Sequence, residues 1–346
     1  MLRRTLAVIL TIVAVLAAGW LAMRRADIPY DTLEAEYSVP ESKFMTLDDG
    51  LKVHYTDTGP RDRSALVLVH GYSASLHTWA DWRRDLQADY RVITLDLPGH
   101  GLSRTDRSGE ISIDRFADVV AQVTDKLEVQ SFTLAGSSMG GNTAWNFALR
   151  YPGKLEGLIL VDASGWPSTA EDRQSSPFIF KLLANPVARM VLKDLDMTSL
   201  TRSGLEDSYT DPAFVTEELV QRYVSLSRAP GHRTVLLAIM ADRGGRDEVT
   251  AEDMTAISVP TLVLWGRDDN LVPVEHAQRF GDAIANAKVI VYDGVGHLPQ
   301  EEAASQSIAD VRTFMLDVEW NALDEEEIES AGDPRLVENR PEPDDG

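Results

Sequence analysis

Two hydrophobic periods alternate along this chain, and that alternation constrains its fold more than any other feature. The run "ALVLVHG" (65–71) is short and continuously apolar, whereas "SLHTWADWRRDLQAD" carries Leu76, Trp79, Trp82 and Leu86 at helical spacing. "YRVITLDLPGHG" is again strand-like. "SIDRFADVVAQVTDKLEV" is helical, with Ile113, Phe116, Val119, Val120 and Val123 in phase. "SFTLAGSS", "GGNTAWNFALRYPGK" and "LEGLILVDASG" continue the rhythm of strand, helix and strand. A strand that is apolar on both faces has to be covered on both. The repeat therefore predicts an α/β fold with a mostly parallel sheet and helices on both faces.

The rhythm lapses after Trp166 and resumes with "PTLVLWGRDD", "PVEHAQRFGDAIANA" and "KVIVYDGVGH". Between them, residues 167–257 hold helical stretches and no buried strand, which predicts a helical cap inserted after the sixth strand. That insertion is longer than any ordinary connection. The core is then residues 43–166 and 258–316, opening with a hairpin at Asp48-Asp49-Gly50. Residues 26–42 read as a polar linker. Residues 317–346 are rich in Asp and Glu and read as a solvated, disordered tail.

The first 25 residues differ from the rest. Leu6 to Met23 carries no charge and lies between "MLRR" and Arg24-Arg25. Such a run suits a membrane anchor, with a cleaved signal or a buried helix as alternatives. The anchor is favoured, because burial would bracket the segment with four arginines. The catalytic domain is then expected to be exported, in the periplasm or outside the cell, or secreted if the signal is cleaved. A net charge of −22 disfavours nucleic acid or an anionic lipid surface as a partner. The chain has no cysteine, which excludes disulfides, thiolate catalysis and Cys-ligated metals.

Against this frame, "LAGSSMGGN" (134–142) acquires meaning. Gly136 and Gly140 flank Ser138 symmetrically, between a strand and a helix, as a nucleophile elbow requires. A serine hydroxyl needs a base, and the base needs an acid to orient it. Asp268 and Asp269 end one later strand in "VLWGRDDN", and His297 follows the next in "VYDGVGHLP". In open α/β sheets, sites gather at the carboxyl ends of strands.

At these points the sequence resembles the α/β-hydrolase superfamily, over about Lys43 to Leu316. The resemblance implies a triad of Ser138, Asp269 and His297, with Asp269 preferred over Asp268 because Gly266, Asp269 and Pro273 match the family's G-x-x-D pattern. It places the oxyanion hole at the backbone N–H groups of Met139 and, through His70-Gly71-Tyr72, of Tyr72. "DLPGHGLS" (96–103) is a further family hallmark, shaping a loop near the site. His54, His77, His232 and His276 read as surface or hydrogen-bonded residues, His70 and His100 as loop structure, and Ser137 as a small filler. The triad would supply nucleophile, base and electrostatics, so no metal and no organic cofactor is implied.

The elbow resembles two subgroups. One is the exported lipases and carboxylesterases; the other is the carbon–carbon hydrolases of ring-cleavage products. The latter usually have Asn where Ser137 stands and a Gly-rich oxyanion loop in place of Tyr72-Ser73-Ala74. Both departures favour a serine esterase acting on a small acyl or aromatic ester through an acyl-enzyme. A carbon–carbon hydrolase and a slow, ligand-sensing binding protein of the same fold are the alternatives. Cap residues including Phe178, Phe180, Leu183, Val187, Met190 and Val191 are expected to bury on the core or face the pocket.

Overall fold

The computed structural model describes residues 2–167, 185–241 and 250–322. Strands β1 (Lys43–Thr46), β2 (Lys52–Thr58), β3 (Ala65–Val69), β4 (Arg91–Leu95), β5 (Phe132–Ser137), β6 (Leu155–Val161), β7 (Thr261–Gly266) and β8 (Ala287–Tyr292) form one sheet. Their order is β1-β2-β4-β3-β5-β6-β7-β8. β2 is antiparallel to both its neighbours, and the strands from β4 to β8 are parallel.

Every residue of β3, β4 and β5 is buried; β3 is apolar throughout, whereas β4 and β5 also bury Arg91, Thr94, Thr133 and Ser137. Alternate side chains leave opposite faces. Leu66 and Leu68 pack with Trp79, Trp82 and Phe314 on one face; Val67 and Val69 pack with Phe116, Trp145 and Phe147 on the other. Each fully buried side chain of this size contributes roughly 1.5–3 kcal/mol against exposure.

The helices are α1 (Leu2–Met23), α2 (Tyr30–Tyr37), α3 (Ala80–Leu86), α4 (Ile113–Lys126) and α5 (Met139–Arg150) before the insertion. Within it lie α6 (Pro186–Leu192), α7 (Thr198–Glu206), α8 (Glu217–Ser227) and α9 (His232–Ala241). Then come α10 (Glu275–Ala283), α11 (Pro299–Glu302) and α12 (Ala304–Ala322). Ser112 caps α4 through the N–H of Arg115. The described part of the insertion is helical, as expected after β6.

Two segments differ from expectation. Residues 26–42 contain α2, whose Leu33 is fully buried with Leu102, Leu226 and Ala229. A polar composition concealed this, because three apolar positions at helical spacing (Tyr30, Leu33, Tyr37), with Ile28 before them, suffice to seat a two-turn helix. At the other end, α12 continues through residue 317 to Ala322, with Val318 buried. The rest of the expected tail, like Phe178, Phe180 and Leu183, lies outside the described residues. Val187, Met190 and Val191 are exposed, neither buried on the core nor turned into the pocket.

Candidate active site

The register of the central strands assembles the site. Ser137 pairs with Val161, and Val161 with Leu264, so the residues just beyond them emerge side by side at the carboxyl edge. The N–H of Ser138 donates to Val161 O, and that of Asp162 to Leu264 O. Ser138, Asp162 and the loop after Gly266 thus meet, although they lie far apart in sequence.

Ser138 itself holds the strained conformation, with φ 54° and ψ −115°. The flanking glycines serve close approach rather than unusual φ. A Cβ on Gly136 would lie 2.0 Å from Gly140 O, and one on Gly140 would lie 2.2 Å from Val69 O. These contacts let α5 start directly on the end of β5 and leave the Ser138 hydroxyl at its N-terminus. The loop after β3 crosses above it, since a Cβ on Gly71 would sit 3.1 Å from Ser138 Cβ.

That loop is braced from behind. The N–H of Leu97 donates to His70 Nε2 at 3.0 Å, which leaves Nδ1–H to donate to Gly71 O at 2.7 Å. Burial lowers the His70 pKa and favours this neutral tautomer. Tyr72, which follows, anchors its hydroxyl on Leu236 O of the cap at 3.2 Å. Met139 opens α5, so its N–H has no partner within the helix. Asp96 of the "DLPGHGLS" segment accepts from the N–H groups of Leu76 and Leu102 and from His54. His54 and His232 are buried and hydrogen-bonded, and the half-buried His77 is hydrogen-bonded to Tyr37 O.

His297 is buried, and its Nδ1 lies 2.7 Å from Asp269 Oδ2. Asp269 Oδ1 accepts from the N–H groups of Leu271 and Val272. Burial acts to raise the Asp269 pKa, but the hydrogen bond and charge of His297, with those two N–H groups, outweigh it and hold it below the usual range. An ionised Asp269 keeps the proton on Nδ1 and leaves Nε2 as a base. Asp268, one residue earlier, is exposed. The cap fixes the histidine loop: the N–H of His297 donates to Ser208 O at 2.8 Å, and Glu302 accepts from the N–H of Gly296 and of Thr210.

Ser138 and His297 both line a cavity of about 930 Å³ between core and cap, together with Tyr72 and Met139. Cap residues Leu192, Met197, Leu205 and Leu237 make much of its wall apolar, and Lys193 and Arg233 are its lysine and arginine side chains. Arg233 is engaged by Asp27 at 2.6 Å. Ser137 is absent from this lining; it is fully buried and accepts from Gln300 Nε2 at 3.3 Å.

One acid escaped the sequence reading. Asp162 is fully buried at the end of β6, with Oδ1 accepting from Gly266 N–H at 3.0 Å and Oδ2 unpartnered among the described residues. Burial first, then the charge of Asp269, push its pKa well up, so it stands neutral. Its signal was present: a carboxylate ending the apolar run "LEGLILVD". Asp162, Asp269 and His297 each place a ligating atom within 4.8 Å of the others, as a metal site would. Here the His297 and Asp269 atoms satisfy each other directly, which is the geometry of an oriented base.

Such an arrangement can present an activated hydroxyl to a carbonyl carbon beside backbone N–H donors. A family model described as alpha/beta hydrolase fold matches residues 64–304. The chain is 31% identical over 284 residues to a 2-hydroxy-6-oxononadienedioate/2-hydroxy-6-oxononatrienedioate hydrolase of Burkholderia vietnamiensis, covering 80% of this chain and 96% of that relative. Among solved structures, a meta-cleavage product hydrolase from Pseudomonas fluorescens superposes with a TM-score of 0.67 at 25% identity, covering 80% of this chain and 97% of the other. A thermophilic esterase from Thermogutta terrifontis gives 0.64 at 26%, covering 80% and 98%.

These relatives overturn the expectation of a carboxylic ester hydrolase. The relative matching four-fifths of the chain is named as a hydrolase of a 2-hydroxy-6-oxo-dienedioate, and the Pseudomonas fluorescens structure as a meta-cleavage product hydrolase, neither of them as an ester hydrolase. Ser137, which counted towards an ester, lies beneath the elbow with its hydroxyl on Gln300, and it does not line the cavity.

Proposed function

The chain belongs to the α/β-hydrolase family, and from that premise we propose that it hydrolyses a carbon–carbon bond of a 2-hydroxy-6-oxo-dienoate type of ring-cleavage product. The observation that carries this reading is the 31% identity, over 80% of the chain, to a hydrolase of that substrate class. The cavity supports it by chemistry, combining apolar walls for the carbon skeleton with Lys193 for a carboxylate.

In this reading Ser138, Asp269 and His297 act as the triad. Transfer of the 2-hydroxyl proton to C5 first gives a 2-oxo-3-ene, so that C5 can later leave as a conjugated enolate. Ser138 Oγ then attacks the C6 carbonyl while His297 Nε2 takes its proton. The oxyanion is received by the N–H groups of Tyr72 and Met139. Collapse breaks the C5–C6 bond, the enolate takes a proton from His297, and the acyl group stays on Ser138. Water, deprotonated by His297, releases it as the acid.

The test is turnover of a synthetic 2-hydroxy-6-oxodienoate, followed by loss of its absorbance, beside p-nitrophenyl acetate. The reading expects dienoate turnover that Ser138→Ala abolishes. A higher kcat/KM for the ester, or no dienoate turnover, would overturn it.

A further inference from the structure

Thirteen large apolar side chains are exposed among the described residues, and they are not scattered. Seven lie on α1, and Val187, Met190, Val191 and Leu200 lie on cap helices α6 and α7; only Phe214 and Leu271 lie elsewhere in the chain. A contiguous exposed apolar surface marks an interaction site.

The two apolar elements are joined. Trp20 Nε1–H donates to Val191 O at 2.9 Å, and the N–H of Asp196 donates to Met23 O at 3.0 Å. The N–H of Arg25 donates to Asp194 O at 2.7 Å, and Arg24 forms an antiparallel bridge with Leu195. Arg24 and Arg25 pair with Asp194 and Asp196 at 3.3 and 2.8 Å. The end of α1 is therefore seated on the segment that follows α6.

We propose that the exposed face of α6 docks on the surface of a lipid bilayer that α1 crosses. The choice of a bilayer over a protein partner rests on α1. Its exposed Leu6, Leu10 and Leu21 lie on one side of the helix and Val8, Ile12 and Val15 on the opposite side, so they call for an apolar medium around it, not one partner face. Arg4–Met23 is long enough for such a span. Trp20 then lies at interfacial depth, beside α6. Net charge −22 gives no electrostatic attraction to an anionic surface, so the docking is apolar. Leu192 ends α6 and Lys193 follows it directly, and both line the cavity, which sets one cavity wall beside the bilayer.

Because the chain has no native cysteine, single nitroxide labels report this directly. The full chain is placed in phosphatidylcholine nanodiscs with a label at Met190→Cys or at Asp62→Cys. Asp62 is exposed before β3, at the opposite edge of the sheet. The expected result is collision with oxygen in excess over a water-soluble nickel chelate at position 190, and the reverse at 62. Three results overturn the proposal: equal nickel access at both positions, spin–spin broadening at 190 that persists without lipid (a second copy on this face), or a bilayer-free protein lacking α1. The readout involves no turnover, so it stands or falls apart from the carbon–carbon reading.

Discussion

Asp162 directly follows β6 and Asp269 lies in the loop after the neighbouring β7, with their carboxyls inside one small cluster around His297, and only Asp269 is held ionised. Two carboxylates so close do not both carry charge in a buried site. Asp162→Asn preserves a neutral group of the same shape, so kcat/KM should stay within about 3-fold. Asp162→Ala should cost roughly 10- to 100-fold, as loss of a supporting partner does.

The same residue sets a pH dependence of stability. The unfolded carboxyl ionises near 3.9, whereas the folded one keeps its proton to higher pH. The folded state then binds more protons, so stability falls as pH rises through that window. Thermal melts of Asp162→Asn should gain on the parent as pH rises above about 4. A difference that does not change with pH would refute the neutral assignment.

Ser138→Ala and His297→Ala should each lower kcat by several orders of magnitude, about 10⁶ where the triad acts as a unit. Asp269→Asn releases the Nδ1 proton preference and should cost about 10⁴. Asp268→Asn, at an exposed position, should leave kcat unchanged. Single-turnover kinetics on the dienoate reads all four.

Backbone strain at Ser138 predicts a trade between stability and activity. Ser138→Gly removes a side chain from a φ of 54° and should stabilise by about 1 kcal/mol, while Ser138→Ala should not. Gly136→Ala drives a Cβ into Gly140 O and should cost about 3 kcal/mol or more. Calorimetric melts separate the three.

Lys193→Ala should lower kcat/KM for the dienoate by roughly 10- to 100-fold, the worth of a hydrogen bond to a charged group. An uncharged ketone analogue should show no such loss. Equal losses on both would remove Lys193 from carboxylate recognition.

The sheet, the place of the insertion, the elbow and two candidate partners for Ser138 are legible in the sequence. Each of these is written locally: a strand covered on both faces must be largely apolar, and an elbow must be small where β5 and α5 nearly touch. Which neighbour a residue meets across the sheet was decided only by the tertiary structure. Strand register brought Asp162 beside Asp269, 107 positions away, and folding of the cap put Lys193 in the cavity wall and Val191 on Trp20. It also turned Ser137 towards Gln300, 163 positions away. Periodicity specifies the face a side chain takes within its own element; what lies opposite depends on segments a hundred or more residues distant, and no local pattern carries that information.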